Sequence, residues 1–228
     1  LQSLIKLSLT GCSLTPESVK ILFGPNSGMN QHLVKLNLSQ NMIGNKGCQF
    51  IMEAKIKLPK LTKLNIKNCE IGASGASFLC NSQCLANITC LDLSDNPISS
   101  AGCDFIFTSR IFSQLEILKL KSCNIGLQGI KKMHENSVVK RLVNLELDHN
   151  KALNNESMEY IASNPNLINL ELLSLVGVSI SIKGVEKLCQ STILNKLTTL
   201  KIFGNEIGRL VGQDIQKQTK IRKNLTIL

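Results

Sequence analysis

The sequence predicts an α/β solenoid, in which one strand–helix unit is repeated along a single domain spanning residues 1–228. An eleven-residue pattern, clearest at 33–43 as L-x-x-L-x-L-x-x-N-x-I, recurs every 27 to 29 residues. Eight complete copies and a partial ninth start at Leu4, Leu33, Leu61, Ile88, Leu115, Leu142, Leu170, Leu197 and Leu225. Apolar residues at helical spacing follow each complete copy. Periods of this length are the mark of stacked repeat architectures.

Each copy predicts a strand and then a helix. The strand lies at x-L-x-L, where alternation sends the leucines inward and the residues between them outward. Apolar residues spaced three to four apart then define one face of a helix. A glycine usually stands four residues after the last apolar residue of the pattern, as at Gly47, Gly75, Gly102, Gly129 and Gly184. We expect it to let the helix approach the sheet closely. Parallel strands would line a concave face, and helices would form the convex face.

The ninth position of the pattern alternates between Cys and Asn, with one exception: Cys12, Asn41, Cys69, Asn96, Cys123, Asn150, Val178 and Asn205. A buried Asn amide offers two donors and an acceptor to the backbone of neighbouring turns, and Cys offers a weak donor. Val178 can form no such bond. We therefore expect a loosened turn or an ordered water beside it.

These patterns resemble the ribonuclease-inhibitor-like class of leucine-rich repeats over essentially the whole chain. The resemblance implies an intracellular horseshoe with true α-helices on its convex side. It also implies a style of function, since Ran GTPase-activating proteins, NOD-like receptors, tropomodulin-like actin regulators and bacterial effectors carry similar repeats. The chain shows no polar capping unit at either end, so we expect a fragment of a longer protein.

The composition limits which kinds of partner and which cellular compartment we expect. A net charge of +10 favours acidic partners, whereas one Tyr, no Trp and no nucleic-acid-reading motif disfavour nucleic acid. No apolar run is long enough to predict a membrane span. Nine cysteines, mostly at positions that the repeat buries and without a secretory signal, predict reduced thiols in the cytoplasm or nucleus.

No constellation of residues indicates catalysis, a metal or a cofactor. Cys80, Cys84 and Cys90 lack a fourth ligand and the spacing of a structural zinc site. Cys90 faces the concave side, but the nearest concave histidine, His149, is two strands or roughly 10 Å away, too far for a Cys–His pair. Neither phosphate-binding glycine loop is present. The sequence therefore predicts a non-enzymatic protein without a cofactor or small-molecule substrate.

The outward residues of the strands, with the turn residues that follow them, form the candidate binding site. They comprise a basic group (Lys6, Lys35, Lys63, Lys67), a mixed group (Asp92, Asp95, Lys119, Lys121, Glu146, Asp148, His149) and an apolar group (Leu172, Val176, Phe203). Lysines stacked in register repel one another, a cost that an acidic partner would offset. The lysines also fit an ordinary solvated face, and the apolar group also fits burial under a further repeat.

The three groups predict a protein–protein interaction scaffold, with the basic group against an acidic patch of the partner and the apolar group as an anchor. Two alternatives stay open. One is a regulatory domain of a small-GTPase activator similar to Ran GTPase-activating proteins; the other is the recognition end of a larger receptor or pathogen effector. Ribonuclease inhibition is disfavoured, because ribonucleases of that kind are basic and so is this face.

Overall fold

A computed structural model describes residues 3–27, 29, 31–136, 138–207 and 225–228. In these residues the nine strands are β1 (Lys6–Ser8), β2 (Lys35–Asn37), β3 (Lys63–Asn65), β4 (Cys90–Asp92), β5 (Ile117–Lys119), β6 (Asn144–Glu146), β7 (Leu172–Ser174), β8 (Thr199–Lys201) and β9 (Thr226–Ile227). The seven α-helices are α1 (Pro16–Leu22), α2 (Gly44–Glu53), α3 (Ala73–Leu79), α4 (Ser99–Thr108), α5 (Leu127–Asn136), α6 (Asn155–Ala162) and α7 (Ile182–Gln190). Short 3-10 helices at Gln83–Leu85, Arg110–Phe112 and Pro165–Leu167 precede β4, β5 and β7.

All nine strands join one parallel sheet in sequence order, from β1 to β9. Their register places equivalent positions of successive repeats side by side, so that Lys6 pairs with Lys35 and Lys35 with Lys63. Each helix packs against the next one along the chain. The predicted α/β fold of stacked strand–helix units is confirmed. The helix of the eighth repeat, predicted to place Ile215 on its apolar face, lies outside the described residues.

The core lies between the sheet and the helices. Inward strand residues such as Leu64 and Leu91 pack in one continuous cluster with helix residues such as Ile51 and Ile106. Burial at these positions is nearly complete, with at most 1% of the surface of Leu64 exposed and none of the others. Because every repeat contributes the same inward positions, the stack buries a core that no single repeat could enclose.

Gly75 shows why glycine recurs at the start of the helices. A Cβ added there would lie 2.6 Å from Asn45 Oδ1 and 2.7 Å from Ile71 Cγ2. Asn45 belongs to α2, and its Oδ1 accepts hydrogen bonds from Gly72 N at 2.8 Å and Gly75 N at 3.0 Å. The close approach at Gly75 is therefore to the preceding helix and to the residue that ends the turn, and not to the sheet as predicted.

Buried asparagines at the ninth position join successive turns. Asn96 Oδ1 accepts hydrogen bonds from Cys69 N at 2.9 Å and Ile71 N at 3.0 Å. Its Nδ2 donates to Ile66 O and Leu93 O at 2.8 Å each. One side chain thus satisfies backbone groups of two repeats that would otherwise be buried without partners.

We call this series of buried asparagines the asparagine ladder. It is weaker beside Val178, where a valine replaces the cysteine of the Cys/Asn alternation. Asn205 Oδ1 lies 3.5 Å from Ile180 N, whereas the equivalent bond from Ile71 N to Asn96 Oδ1 is 3.0 Å. The longer bond agrees with the loosening predicted at this turn.

Candidate binding surface on the open sheet face

The open sheet face is the side of the sheet turned away from the helices, and each of the strands β1–β8 contributes its first and third residues to it. The parallel register aligns these residues in two rows that run across the strands. Neighbouring strands, and so neighbouring residues of a row, are about 4.8 Å apart. The first row is Lys6, Lys35, Lys63, Cys90, Ile117, Asn144, Leu172 and Thr199. The second row is Ser8, Asn37, Asn65, Asp92, Lys119, Glu146, Ser174 and Lys201.

Three lysines of the basic group stand next to one another in the first row. Lys6, Lys35 and Lys63 are exposed and paired in register. Within the part of the chain that the structure describes, none of the three forms an ion pair. Lys67 differs, because its Nζ lies 3.0 Å from Asp95 Oδ2. The structure therefore leaves three of the four predicted basic residues uncompensated.

The second row contains a repeated side-chain turn that sequence reasoning missed. Oδ1 of Asn37, Asn65 and Asp92 accepts a hydrogen bond, at 3.0 Å in each case, from the backbone N–H two residues later. Of the two polar atoms of an Asn amide, only the oxygen can accept from an N–H, so this bond fixes the orientation of both amides. Asn and Asp form such turns readily, and their recurrence at the fifth position of the pattern was the available signal.

The mixed group is held together by ion pairs between neighbouring strands. Lys119 Nζ lies 2.8 Å from Glu146 Oε1, and Lys121 Nζ lies 3.0 Å from Asp148 Oδ2. The two lysines are about one-third exposed, at 34% and 37% of their side-chain surface. Unlike Lys6, Lys35 and Lys63, these cations have ion-pair partners within the described part of the domain.

Asp148 was predicted to present its side chain to a partner, but the residue is only 3% exposed, which corrects its expected exposure. It accepts hydrogen bonds from the Ser174 hydroxyl and from Val176 N, in addition to its ion pair with Lys121. Burial alone raises the pKa of Asp148, but these three donors together hold it below its ordinary value. Asp148 therefore connects its own repeat to the repeats on both sides of it.

The apolar group is only partly available. Val176 is 6% exposed, which corrects its predicted role as an exposed anchor. Leu172 is half-buried in the first row, whereas Phe203 is 62% exposed. Val176 and Asp148 both occupy the seventh position of the pattern, which lies beyond the three-residue strands.

The eighth position is a turn residue in every described repeat. Its φ lies between +51° and +72° at Gly11, Gln40, Asn68, Asp95, Ser122, His149, Gly177 and Gly204. Gly, Asn and Asp tolerate this left-handed region best. Asp95 and His149 are exposed on these turns. A Cβ added at Gly177 would lie 2.6 Å from His149 Nδ1, so glycine there lets the imidazole pack against the next turn.

A family model for the leucine-rich repeat matches residues 30–52, 57–80 and 84–107. The chain is a leucine-rich repeat protein. The matched segments contain β2 with most of α2, β3 with α3, and β4 with most of α4. The leucine-rich repeats that follow continue the same sheet register. No curated protein matches the chain.

The leucine-rich repeat register also locates the two residues that a thiol-dependent reaction would need. Cys90 lies on β4 and His149 follows β6, so that β5 separates them in the sheet. Burial raises the pKa of the Cys90 thiol, which disfavours the nucleophilic thiolate. In the described parts of the chain, no cluster of metal-ligating side chains occurs, and no helix is long and apolar enough to cross a membrane.

Proposed function

We propose that this domain is a non-enzymatic scaffold whose concave strand face binds a protein partner through an acidic patch of that partner. One observation carries the proposal: Lys6, Lys35 and Lys63 are exposed, adjacent in register and without an ion-pair partner among the described residues. Like charges opposite one another on a sheet destabilise it. Carboxylates of a partner would relieve this repulsion, and the positive field would speed the encounter. Leucine-rich repeats commonly mediate protein–protein interaction, which supports the same function.

The remaining charges support binding rather than catalysis. Lys119, Lys121, Glu146 and Asp148 are engaged in pairs within the domain, so they stiffen the surface and leave no free acid–base pair among themselves. Phe203, at 62% exposure, is the apolar contact that we propose for the far end of the partner. Leu172, half-buried in the first row on β7, is a second apolar residue that we propose at this end of the face.

We propose that the domain belongs to the ribonuclease-inhibitor-like class and works in a reducing compartment, the cytoplasm or the nucleus. Seven of the nine cysteines are buried. Burial raises the pKa of Cys69 to about 11 and that of Cys123 to about 12, so both remain thiols at neutral pH. Their Sγ atoms lie 3.2 Å from Leu38 O and 3.3 Å from Leu93 O as hydrogen-bond donors, a role that oxidation would remove.

The test reverses two of the uncompensated charges. Partners cross-linked to the wild-type domain are identified, purified and titrated against the Lys35→Glu/Lys63→Glu double variant over a range of salt concentrations. We expect affinity at low salt to fall about tenfold or more, because each reversal replaces an attraction with a repulsion. The salt dependence should also flatten, since the attraction that salt screens has been removed.

A matched control separates this site from a general effect of net charge. Lys55 and Lys57 are exposed between α2 and β3, away from the open sheet face. The Lys55→Glu/Lys57→Glu variant carries the same change in charge and should bind the partner nearly as tightly as wild type. Equal losses in the two double variants would contradict the proposed site.

A further inference from the structure

The open sheet face changes its hydrogen-bonding character between β3 and β4. Over β1–β3, the first row presents the ammonium groups of Lys6, Lys35 and Lys63. In the second row, the amide oxygens of Asn37 and Asn65 are bonded to the backbone. Their NH2 groups, which can only donate, have no partner in the described residues. This end of the face therefore offers donors to a partner.

Asp92 presents an acceptor where the preceding strands present donors, while its side-chain turn keeps the same geometry. It occupies the next place in the row, in register with Asn65, and forms the same 3.0 Å bond to the backbone. An amide and a carboxylate have nearly the same shape, but the second oxygen of Asp92 can only accept. Asp92 forms no ion pair in the described part of the chain. A donor is thus replaced by a negatively charged acceptor from one strand to the next.

The cations nearest to this boundary do not cancel the change. Lys67 is paired with Asp95 across the turns at 3.0 Å, and Lys119 is paired with Glu146 at 2.8 Å. Among the described residues, the charges without an ion-pair partner are therefore positive over β1–β3 and negative at Asp92, whose neighbour in register, Lys119, interacts with it electrostatically but forms its ion pair with Glu146. A uniform polyanion that follows the lysines would reach Cys90 next in their row, with Asp92 two residues further along the same strand, where like charges repel.

We infer that the partner segment bound here is a polypeptide with an ordered charge pattern, with carboxylates over β1–β3 and a cationic or amide donor directly after them over β4. A uniform polyanion such as single-stranded nucleic acid does not fit this order. The inference rests on the proposed function and specifies its partner. With strands about 4.8 Å apart, the acidic part spans only about 10 Å.

Two isosteric substitutions move the boundary by one strand in opposite directions. Asp92→Asn extends the donor region to β4, and Asn65→Asp shortens it to β2. Both variants keep an oxygen for the backbone N–H, and thermal unfolding checks that the fold is retained. The probes are a peptide of three Glu followed by three Lys, its alternating isomer, hexaglutamate, and a single-stranded RNA hexamer. Binding is followed by fluorescence anisotropy at low salt.

We expect wild type to bind the ordered peptide about two- to fivefold more tightly than the other probes, which is the scale of one exposed charge pair. Asp92→Asn should weaken binding of the ordered peptide by a similar factor and strengthen binding of hexaglutamate and RNA. Asn65→Asp should weaken all four probes. The inference is overturned if wild type prefers hexaglutamate or RNA, binds both peptide isomers equally, or responds to neither substitution.

The Lys35→Glu/Lys63→Glu variant distinguishes this failure from failure of the proposed function. Suppose that this variant no longer binds the acidic probes, and that the order of charges in the peptides does not affect their binding to wild type. The acidic partner is then supported, and the ordered charge pattern is wrong. If the acidic probes bind that variant as they bind wild type, the proposed site itself is wrong.

Discussion

Replacing Asn150 with leucine removes a fully bonded side chain of the asparagine ladder and keeps its branched shape and its number of non-hydrogen atoms. Asn150 is fully buried. Its Oδ1 accepts hydrogen bonds from Cys123 N and Ile125 N at 2.9 Å each. Its Nδ2 donates to Leu120 O and Leu147 O at 2.8 Å each. The Asn150→Leu variant therefore leaves two backbone donors and two backbone acceptors buried without this partner.

The expected loss follows from those four groups. A buried hydrogen bond contributes about 1 kcal/mol net, and a buried group left unsatisfied costs about 1–3 kcal/mol. Four groups then give a loss of about 4 kcal/mol if the turns relax, and about 8 kcal/mol if they do not. A domain of ordinary stability has about 5–15 kcal/mol in total, so Asn150→Leu should place the protein near the limit of folding.

Urea unfolding followed by circular dichroism measures this loss. Stacked repeats can unfold in steps, so both the midpoint and the slope of the transition are compared. Asn195→Leu is the control, because Asn195 is an exposed loop residue and should change stability by less than about 0.5 kcal/mol. Asn205→Leu should cost less than Asn150→Leu, since Asn205 is half-buried and one of its bonds is 3.5 Å long. A loss below about 1 kcal/mol for Asn150→Leu would refute the reasoning.

Two further predictions concern packing and pH. Gly75→Ala should destabilise the fold by about 1–3 kcal/mol despite the better helix propensity of alanine, because its Cβ would lie 2.6 Å from Asn45 Oδ1. Thermal unfolding measures this loss. Gly72→Ala is the control, because the atom nearest to an added Cβ there is 3.5 Å away. The lowered pKa of Asp148 contributes stability above the unfolded-state pKa of about 4, and this is lost as pH falls through the native pKa. Asp148→Asn should therefore be less stable than wild type at pH 7 and approach it in acid, and a parallel dependence of the two proteins on pH would contradict this assignment.

The fold could be predicted because the physical demands on each repeat are the same. Leu64, Asn96 and Gly75 each answer a local requirement, namely an inward strand position, buried turn amides and a close helix contact. Such requirements return at every turn of a stack, so the pattern is visible in one sequence. The match of three segments to leucine-rich repeats agrees with that reading.

The candidate site was predicted less well because strand alternation was extended too far. The alternation of outward and inward residues holds within β6, where Asn144 and Glu146 face outward around the buried Leu145. The strand ends at Glu146, and the same alternation continued to Asp148 and gave the wrong exposure. The pairing of Lys67 with Asp95 was also out of reach, because it joins the seventh position of one repeat to the eighth position of the next.

The fifth position of the pattern shows how a strict architecture leaves room for specificity. At Asn37, Asn65 and Asp92 the turn requires one side-chain oxygen for a backbone N–H, and each residue supplies it at 3.0 Å. The second polar atom of the side chain has no role in that turn. It can therefore be nitrogen or oxygen, a donor or a charged acceptor, without altering the backbone. Because register sets these atoms side by side across the sheet, a change of one atom from Asn65 to Asp92 alters what the surface attracts while the fold beneath it stays the same.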